Sequence, residues 1–199
     1  MKRRDLAVLL AGGLVAPSIL RAQSAGFTSL LNGRDAEGWT ALGNANWRIE
    51  NGMLVADRGT GFMVTANSYA DFELRIEVFL EAKTNSGIFI RMSDRNVINS
   101  NNSYEVNLWD QRPEQRYGTG AIVDIAVVDP MPRAGDRWNT LEITARGDRM
   151  SVVLNGQRTV NEVQHARHRS GPFALQHAPG VNNDDTGVVR FRRVDIRTL

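Results

Sequence analysis

In the segment 102–110, NSYEVNLWD, the residues Glu105, Asn107 and Trp109 alternate with Tyr104, Val106 and Leu108. Successive side chains of an extended chain point to opposite faces. A carboxylate, an amide and an indole therefore share one face, opposite an apolar set that suits a core. SGIFIR (86–91) repeats the pattern: Ile88 and Ile90 turn inward, leaving Gly87, Phe89 and Arg91 outward. If the two strands are antiparallel neighbours, Arg91 lies near Glu105. In FALQH (173–177), Phe173 and Leu175 turn inward and Ala174 and Gln176 outward, with His177 where the strand runs out. Such a face resembles a sugar-binding surface. Aromatic rings stack on the apolar C–H faces of a pyranose, while amides, guanidinium and carboxylate hydrogen-bond its hydroxyls. The bland alternative is a solvated Arg91–Glu105 cross-strand pair worth under ~1 kcal/mol.

Other constellations are weaker. His165 and His168 in HARH have a helical spacing that could bind a metal, but no carboxylate of matching spacing accompanies them. VNNDDTG (181–187) has the oxygen-rich composition of a calcium loop and equally that of an ordinary turn. No cofactor is required by these residues; a divalent ion, calcium or a catalytic metal, stays open as an alternative. There is no Ser/His/Asp order, Gly-rich phosphate loop or dinucleotide fingerprint.

The elements that must position these residues are strands. No long segment after the N-terminus has a helical hydrophobic period, whereas period-2 runs recur with turn residues at short intervals. NWRIENGMLVA reads as a hairpin around Asn51-Gly52, and DFELRIEVFLEA as one long strand with one apolar and one mostly charged face. About ten to twelve strands are expected, with one short helix near residues 160–167 or 29–38. Many antiparallel strands in one domain of this size predict an all-β, two-sheet antiparallel sandwich, a jelly roll, running from Gly26 to residue 199.

The chain has 199 residues and no cysteine, so disulfides, thiolate catalysis and Cys-ligated zinc are excluded. Residues 1–22 have a basic start, an apolar run from Leu6 to Val15 and a small-residue exit. That is the layout of an export signal with cleavage after Ala22, and Arg3-Arg4 gives it a twin-arginine character. The apolar run is short of the roughly 18–20 residues of a membrane span, so no stable membrane anchor is expected and the mature domain should be periplasmic or secreted. Taking Lys2, Arg3, Arg4 and Arg21 from 24 basic residues and Asp5 from 22 acidic ones leaves near balance, 20 against 21. Nucleic acid is not indicated as a partner.

FTSLLNGRDAEGW, NWRIENGMLV, YADFELRIEV, NSGIFIR, YEVNLWD, TGAIVD, GDRWNTLEITARG, VVLNGQ, GPFALQH and VRFRRVDIRTL occur in that order. Together they resemble the 3-keto-disaccharide hydrolase domain family over nearly all of the mature chain. The resemblance implies a concanavalin-like jelly roll acting on 3-keto-glucosides, with a functional link to an oxidoreductase that oxidises the C3 hydroxyl of a glucoside. It also implies elimination followed by hydration, a net hydrolysis. Carried over by position, Glu105 would be general base or acid and Arg91 the electrostatic partner of the 3-keto oxygen. His177 would be an acid/base candidate, and Asp110 would orient a partner or contact a metal. Asn85, Phe89, Asn107, Trp109 and Gln176 would bind hydroxyls or stack. The chain departs from the family where Asn107 replaces Gln, where Val123 replaces a Tyr, and where the His near LQ falls one residue early, at His177. Two other readings use the same residues: a non-catalytic carbohydrate-binding module, and an ordinary glycosidase pairing Glu105 with Asp110.

Overall fold

The computed structural model describes residues 26–199; the export signal expected over residues 1–22 lies outside them. The strands, in chain order, are β1 (Thr28–Ser29), β2 (Trp39–Gly43), β3 (Arg48–Glu50), β4 (Met53–Ala56), β5 (Gly61–Thr65), β6 (Phe72–Leu80) and β7 (Ser86–Ile90). They continue with β8 (Tyr104–Leu108), β9 (Arg137–Arg146), β10 (Arg149–Leu154), β11 (Gln157–Gln164), β12 (Ala174–His177) and β13 (Val189–Thr198). They form two antiparallel sheets, one in the order β11-β10-β9-β6-β13-β4-β3 with β1 added on β13, the other β2-β5-β12-β7-β8.

Alternation decides which faces meet. Phe72, Leu74, Ile76, Val78 and Leu80 of β6 are all buried, and so are Ile88, Ile90, Tyr104, Val106, Leu108, Phe173 and Leu175 of the smaller sheet. These two sets belong to one core cluster, which makes the molecule the sandwich expected from the sequence. Turn chemistry fixes register. Asn51 and Gly52 both take positive φ, 51° and 78°, as a two-residue hairpin turn requires, and they join β3 to β4 with Glu50 opposite Met53.

Neither expected helix exists. Residues 160–164 belong to β11, where Val163 faces Met150 and Val160 faces Val152. Two residue intervals of β10 are thus matched by three of β11. Such a bulge turns valines three positions apart to one side, which imitates a helical spacing. Residues 29–38 form β1 and a turn in which the Asn32 Oδ1 accepts from the backbone N–H groups of Arg34 and Asp35. Helical structure among the described residues is limited to the 3-10 turns Gln115–Tyr117 and Val181–Asn183.

The free edge of β8 is covered by residues 120–123. Gly120 N donates to Asn107 O, Asn107 N to Ala121 O and Val123 N to Glu105 O, at 2.8, 3.0 and 2.9 Å. With the bridge between Val106 and Ile122, this short segment prolongs the sheet, setting Val123 beside Glu105 and Ala121 beside Asn107.

Candidate functional site

The outer face of the smaller sheet carries the site. Phe89 on β7 is opposite Glu105 on β8, and Gly87 is opposite Asn107. Ala174 on β12 is opposite Phe89, and the same pairing, continued by the bridge between Asn85 and Ala178, sets Gln176 beside Gly87. Gly87 is therefore the floor of a groove with Asn107 on one side and Gln176 on the other. A β-carbon at position 87 would stand 3.2 Å from Glu105 Oε1 and 3.3 Å from Gln176 Oε1. The carboxyl and the amide oxygen both lean over the glycine from opposite strands.

Glu105 is partly buried, and no described residue hydrogen-bonds its carboxylate. It is flanked on neighbouring strands by Phe89, 3% exposed, and Val123, 5% exposed. Burial in this setting pushes its pKa up to about 7; Asp124 adds to the rise and Arg112 opposes it. The cause is desolvation, which disfavours the charged form. Phe89 also belongs to an apolar cluster on this outer face with Val64, Met92 and Ala174, joined by Phe62, Leu42 and Ile98.

On this face and in the loop that follows β8 are buried polar atoms that find no partner among the described residues: Asn107 Oδ1, Gln176 Oε1, Trp109 Nε1 and Arg112 Nε. The Asn107 amide is oriented by its Nδ2, which donates to Tyr117 O at 2.7 Å, so its free atom is the acceptor. Leaving such atoms unmade costs about 1–3 kcal/mol each. A ligand with donors for two of them and acceptors for the other two recovers that cost.

Three residues expected at this face lie elsewhere. β7 ends at Ile90, and Arg91 takes φ of 53°, so the alternation stops before it and its side chain turns off the outer face. Its guanidinium is fully buried and donates to Ala70 O, Gly147 O and Asp71 Oδ1 at 2.8, 2.7 and 3.0 Å. It clamps the start of β6 to the β9–β10 turn and does not reach Glu105. Burial pulls its pKa down, against the opposing pull of Asp71. His177 continues the inward series of Phe173 and Leu175. It is buried, with Nδ1 2.7 Å from Gly59 O and Nε2 2.6 Å from Gly187 O, so both ring nitrogens are engaged in bracing two loops. Asp110 is a buried knot: its carboxylate accepts from Thr119 Oγ1 at 2.6 Å, from Ala134 N at 3.0 Å and from Gly135 N at 2.9 Å.

Asn85 is on the outer face, but its Nδ2 donates to Pro179 O. His165 and His168 do not lie on a helix. Tyr104 Oη contacts His165 Nδ1 at 3.0 Å, and His168 Nε2 is 3.1 Å from Asn101 O. In the 181–187 loop, Asp184 pairs with Lys83 and Thr186, and Asp185 accepts from Gly59 N. Among the described residues no group of three or more His, Cys, Asp or Glu is arranged to hold a metal ion.

The sequence pattern did not single out Arg112, Val123 or Gly87 as parts of the site. Arg112 lies in a loop with no period, and its relation to Glu105 depends on how Asp110 ties that loop down. Gly87 was assigned the correct face, but its significance is the space it leaves.

A family model described as the 3-keto-alpha-glucoside-1,2-lyase-like domain matches residues 26–197. The chain belongs to this family. Membership makes its function carbohydrate-related, in keeping with the groove. No curated protein matches the chain significantly. Among solved structures, a proposed glycosyl hydrolase of Parabacteroides distasonis ATCC 8503 has a TM-score of 0.74 at 19% identity, over 87% of this chain and 94% of its own. A second from that organism has 0.67 at 22%, over 87% and 99%. Carbohydrate binding module CBM66 of Bacillus subtilis has 0.58 at 19%, over 81% and 96%. At these identities the likeness establishes the jelly-roll fold that the family shares with them.

Proposed function

We propose that this family member is an exported enzyme that cleaves 3-keto-glucosides by elimination and hydration, with Glu105 as the proton-transfer group. The observation that carries the reading is one carboxyl of near-neutral pKa leaning over a glycine floor among unpaired polar atoms.

A ketone at C3 acidifies the C2–H bond. Glu105 as carboxylate takes the C2 proton, and the C–H electron pair becomes the C2–C3 double bond while the carbonyl pair moves to O3. The pair then returns, expels the C1–O bond, and the leaving oxygen takes a proton. Water next adds across C1 and C2 of the 2-hydroxy-3-keto-glucal, oxygen to C1 and proton to C2, giving 3-keto-glucose. A group with pKa near the working pH can both accept and return a proton efficiently. Ordinary glycoside hydrolysis instead needs two carboxyl groups across the bond. The carboxylate of Asp110, the second member expected for that route, is occupied by Thr119, Ala134 and Gly135. The substrate must be supplied by a reaction that oxidises the C3 hydroxyl of a glucoside.

The test is incubation of the mature domain with a 3-keto-disaccharide in D2O. Release of 3-keto-glucose carrying deuterium at C2 is expected, and none from Glu105→Gln. Binding without turnover would make the domain a carbohydrate-binding module. Turnover of unoxidised glucosides would make it an ordinary glycosidase. Export is checked by the N-terminus of the periplasmic protein, expected at Gln23.

A further inference from the structure

We propose that Trp109 Nε1 and Arg112 Nε form a two-donor site for the C3 oxygen of the substrate and so fix which way the sugar lies in the groove. The inference rests on the 3-keto-glucoside reading above and assigns residues to the part of that reaction left open once Arg91 is known to be a clamp.

The unpaired atoms of this face and the loop after β8 are sorted by chemistry along the chain. At the Gly87 floor both are acceptors, Asn107 Oδ1 and Gln176 Oε1; beyond the end of β8 both are donors, Trp109 Nε1 and Arg112 Nε. Hydroxyl groups can satisfy acceptors. A carbonyl or enolate oxygen only accepts, and so belongs at the donor end. The two donors are neighbours, with the Arg112 guanidinium carbon 6.0 Å from the centre of the Trp109 ring, and Arg112 is close enough to act on Glu105 by its charge. Trp109 follows Glu105 and Asn107 in the outward series of β8.

The loop backbone that carries the pair is held before substrate arrives. Asp110, between them, is fixed through its carboxylate, and its carbonyl accepts from Arg133 Nη1 at 2.7 Å. The Arg112 carbonyl accepts from Gln115 Nε2. Donors preset around the point where negative charge develops stabilise the transition state without reorganisation. As Glu105 takes the C2 proton, the electron pair reaching O3 is met by the indole N–H and the guanidinium N–H. C2 then lies over Glu105, C3 toward Trp109 and Arg112, and the C1 aglycone on the opposite side, toward Gln176 and Phe62.

The experiment uses Trp109→Phe, which keeps an aromatic ring and removes the N–H, with Arg112→Gln and Arg112→Lys. For a 3-keto-glucoside, Trp109→Phe and Arg112→Gln should each lower kcat about 100-fold, the usual cost of one oxyanion donor, with KM rising by no more than the ketone-binding preference that is lost. Arg112→Lys should recover part of the loss. A rise in KM at unchanged kcat would overturn the assignment and leave the enzyme reading intact. Binding of methyl 3-keto-glucoside and methyl glucoside is measured in parallel on the Glu105→Gln background. The ketone should bind at least tenfold more tightly, and that preference should vanish with either donor. Ketone preference without turnover in the native chain would retain the donor site and remove the enzyme reading. Equal binding of the two glucosides would remove the donor site.

Discussion

Val123 lies directly beside Glu105, its amide donating to the Glu105 carbonyl oxygen at 2.9 Å. On the other side of Glu105 is Phe89. Two apolar neighbours, both nearly inaccessible to water, hold the carboxyl in a dry cleft, and this raises its pKa more than the charges do. The family resemblance places a Tyr at position 123; here a Val strengthens the dry wall.

Val123→Thr should therefore lower the Glu105 pKa. The substitution keeps the branched shape and adds one hydroxyl beside the carboxylate. If ionised Glu105 is the base, kcat/KM rises with pH to a plateau above about 7. In Val123→Thr that rise should move down by roughly half to one unit, as measured by the pH profile of turnover.

The same raised pKa has a cost in stability, with a definite sign. Glu105 titrates near 4.5 when exposed and at about 7 in the folded chain. Between those values the folded state binds the proton more strongly, so stability falls as pH rises through the window and the full penalty is present above 7. A shift of that size corresponds to about 3 kcal/mol. Gln at this position cannot ionise. Urea denaturation of Glu105→Gln and native protein should show no pH-dependent difference below pH 4.5. By pH 8 the variant should gain about 3 kcal/mol while losing activity.

The inward and outward sets of β6, β7, β8 and β12 were legible because each strand has one face against the core, and a one-residue slip would bury its polar set. That is why Glu105, Asn107, Gln176, Phe89 and Gly87 were placed together correctly. The exceptions are at strand ends. Arg91 follows the last residue of β7, and its φ of 53° breaks the alternation, whereas His177, the last residue of β12, keeps the alternation and turns inward, where its ring is drawn between two loops. Arg112 was illegible for a related reason, since its position depends on the contacts of Asp110 with residues up to 25 positions away.

Arg91 as a clamp predicts loss of stability instead of an altered reaction. Its removal leaves Ala70 O and Gly147 O without their donor and Asp71 without its charge partner. Breaking a buried, hydrogen-bonded charge pair costs about 3–5 kcal/mol, and the exposure of Asp71 favours the lower end. Arg91→Met should lower the thermal midpoint by well over 5 °C. At a temperature where the variant remains folded, its kcat should stay within about threefold of native. A hundredfold drop in kcat in the folded variant would restore Arg91 to the reaction.

Gly87→Ala separates the groove from the fold most directly. The backbone at Gly87 needs no positive φ, and the carbonyls and side chains of the core do not crowd the added methyl group. What crowds it are Glu105 Oε1 at 3.2 Å, Gln176 Oε1 at 3.3 Å and Glu105 Cγ at 3.4 Å. Both are flexible side chains that can retreat by a few tenths of an ångström, so the fold should survive with a midpoint within a few degrees of native. Retreat, however, moves the carboxyl off the floor, and the methyl group occupies space that a sugar ring needs. Misplacement of about 1 Å at a reacting group can cost about 100-fold. A retreat of a few tenths of that distance, together with the lost space, should lower turnover of a 3-keto-glucoside by roughly tenfold or more, with KM raised as well. Unchanged kinetics in a folded Gly87→Ala would mean that substrate does not lie over this glycine.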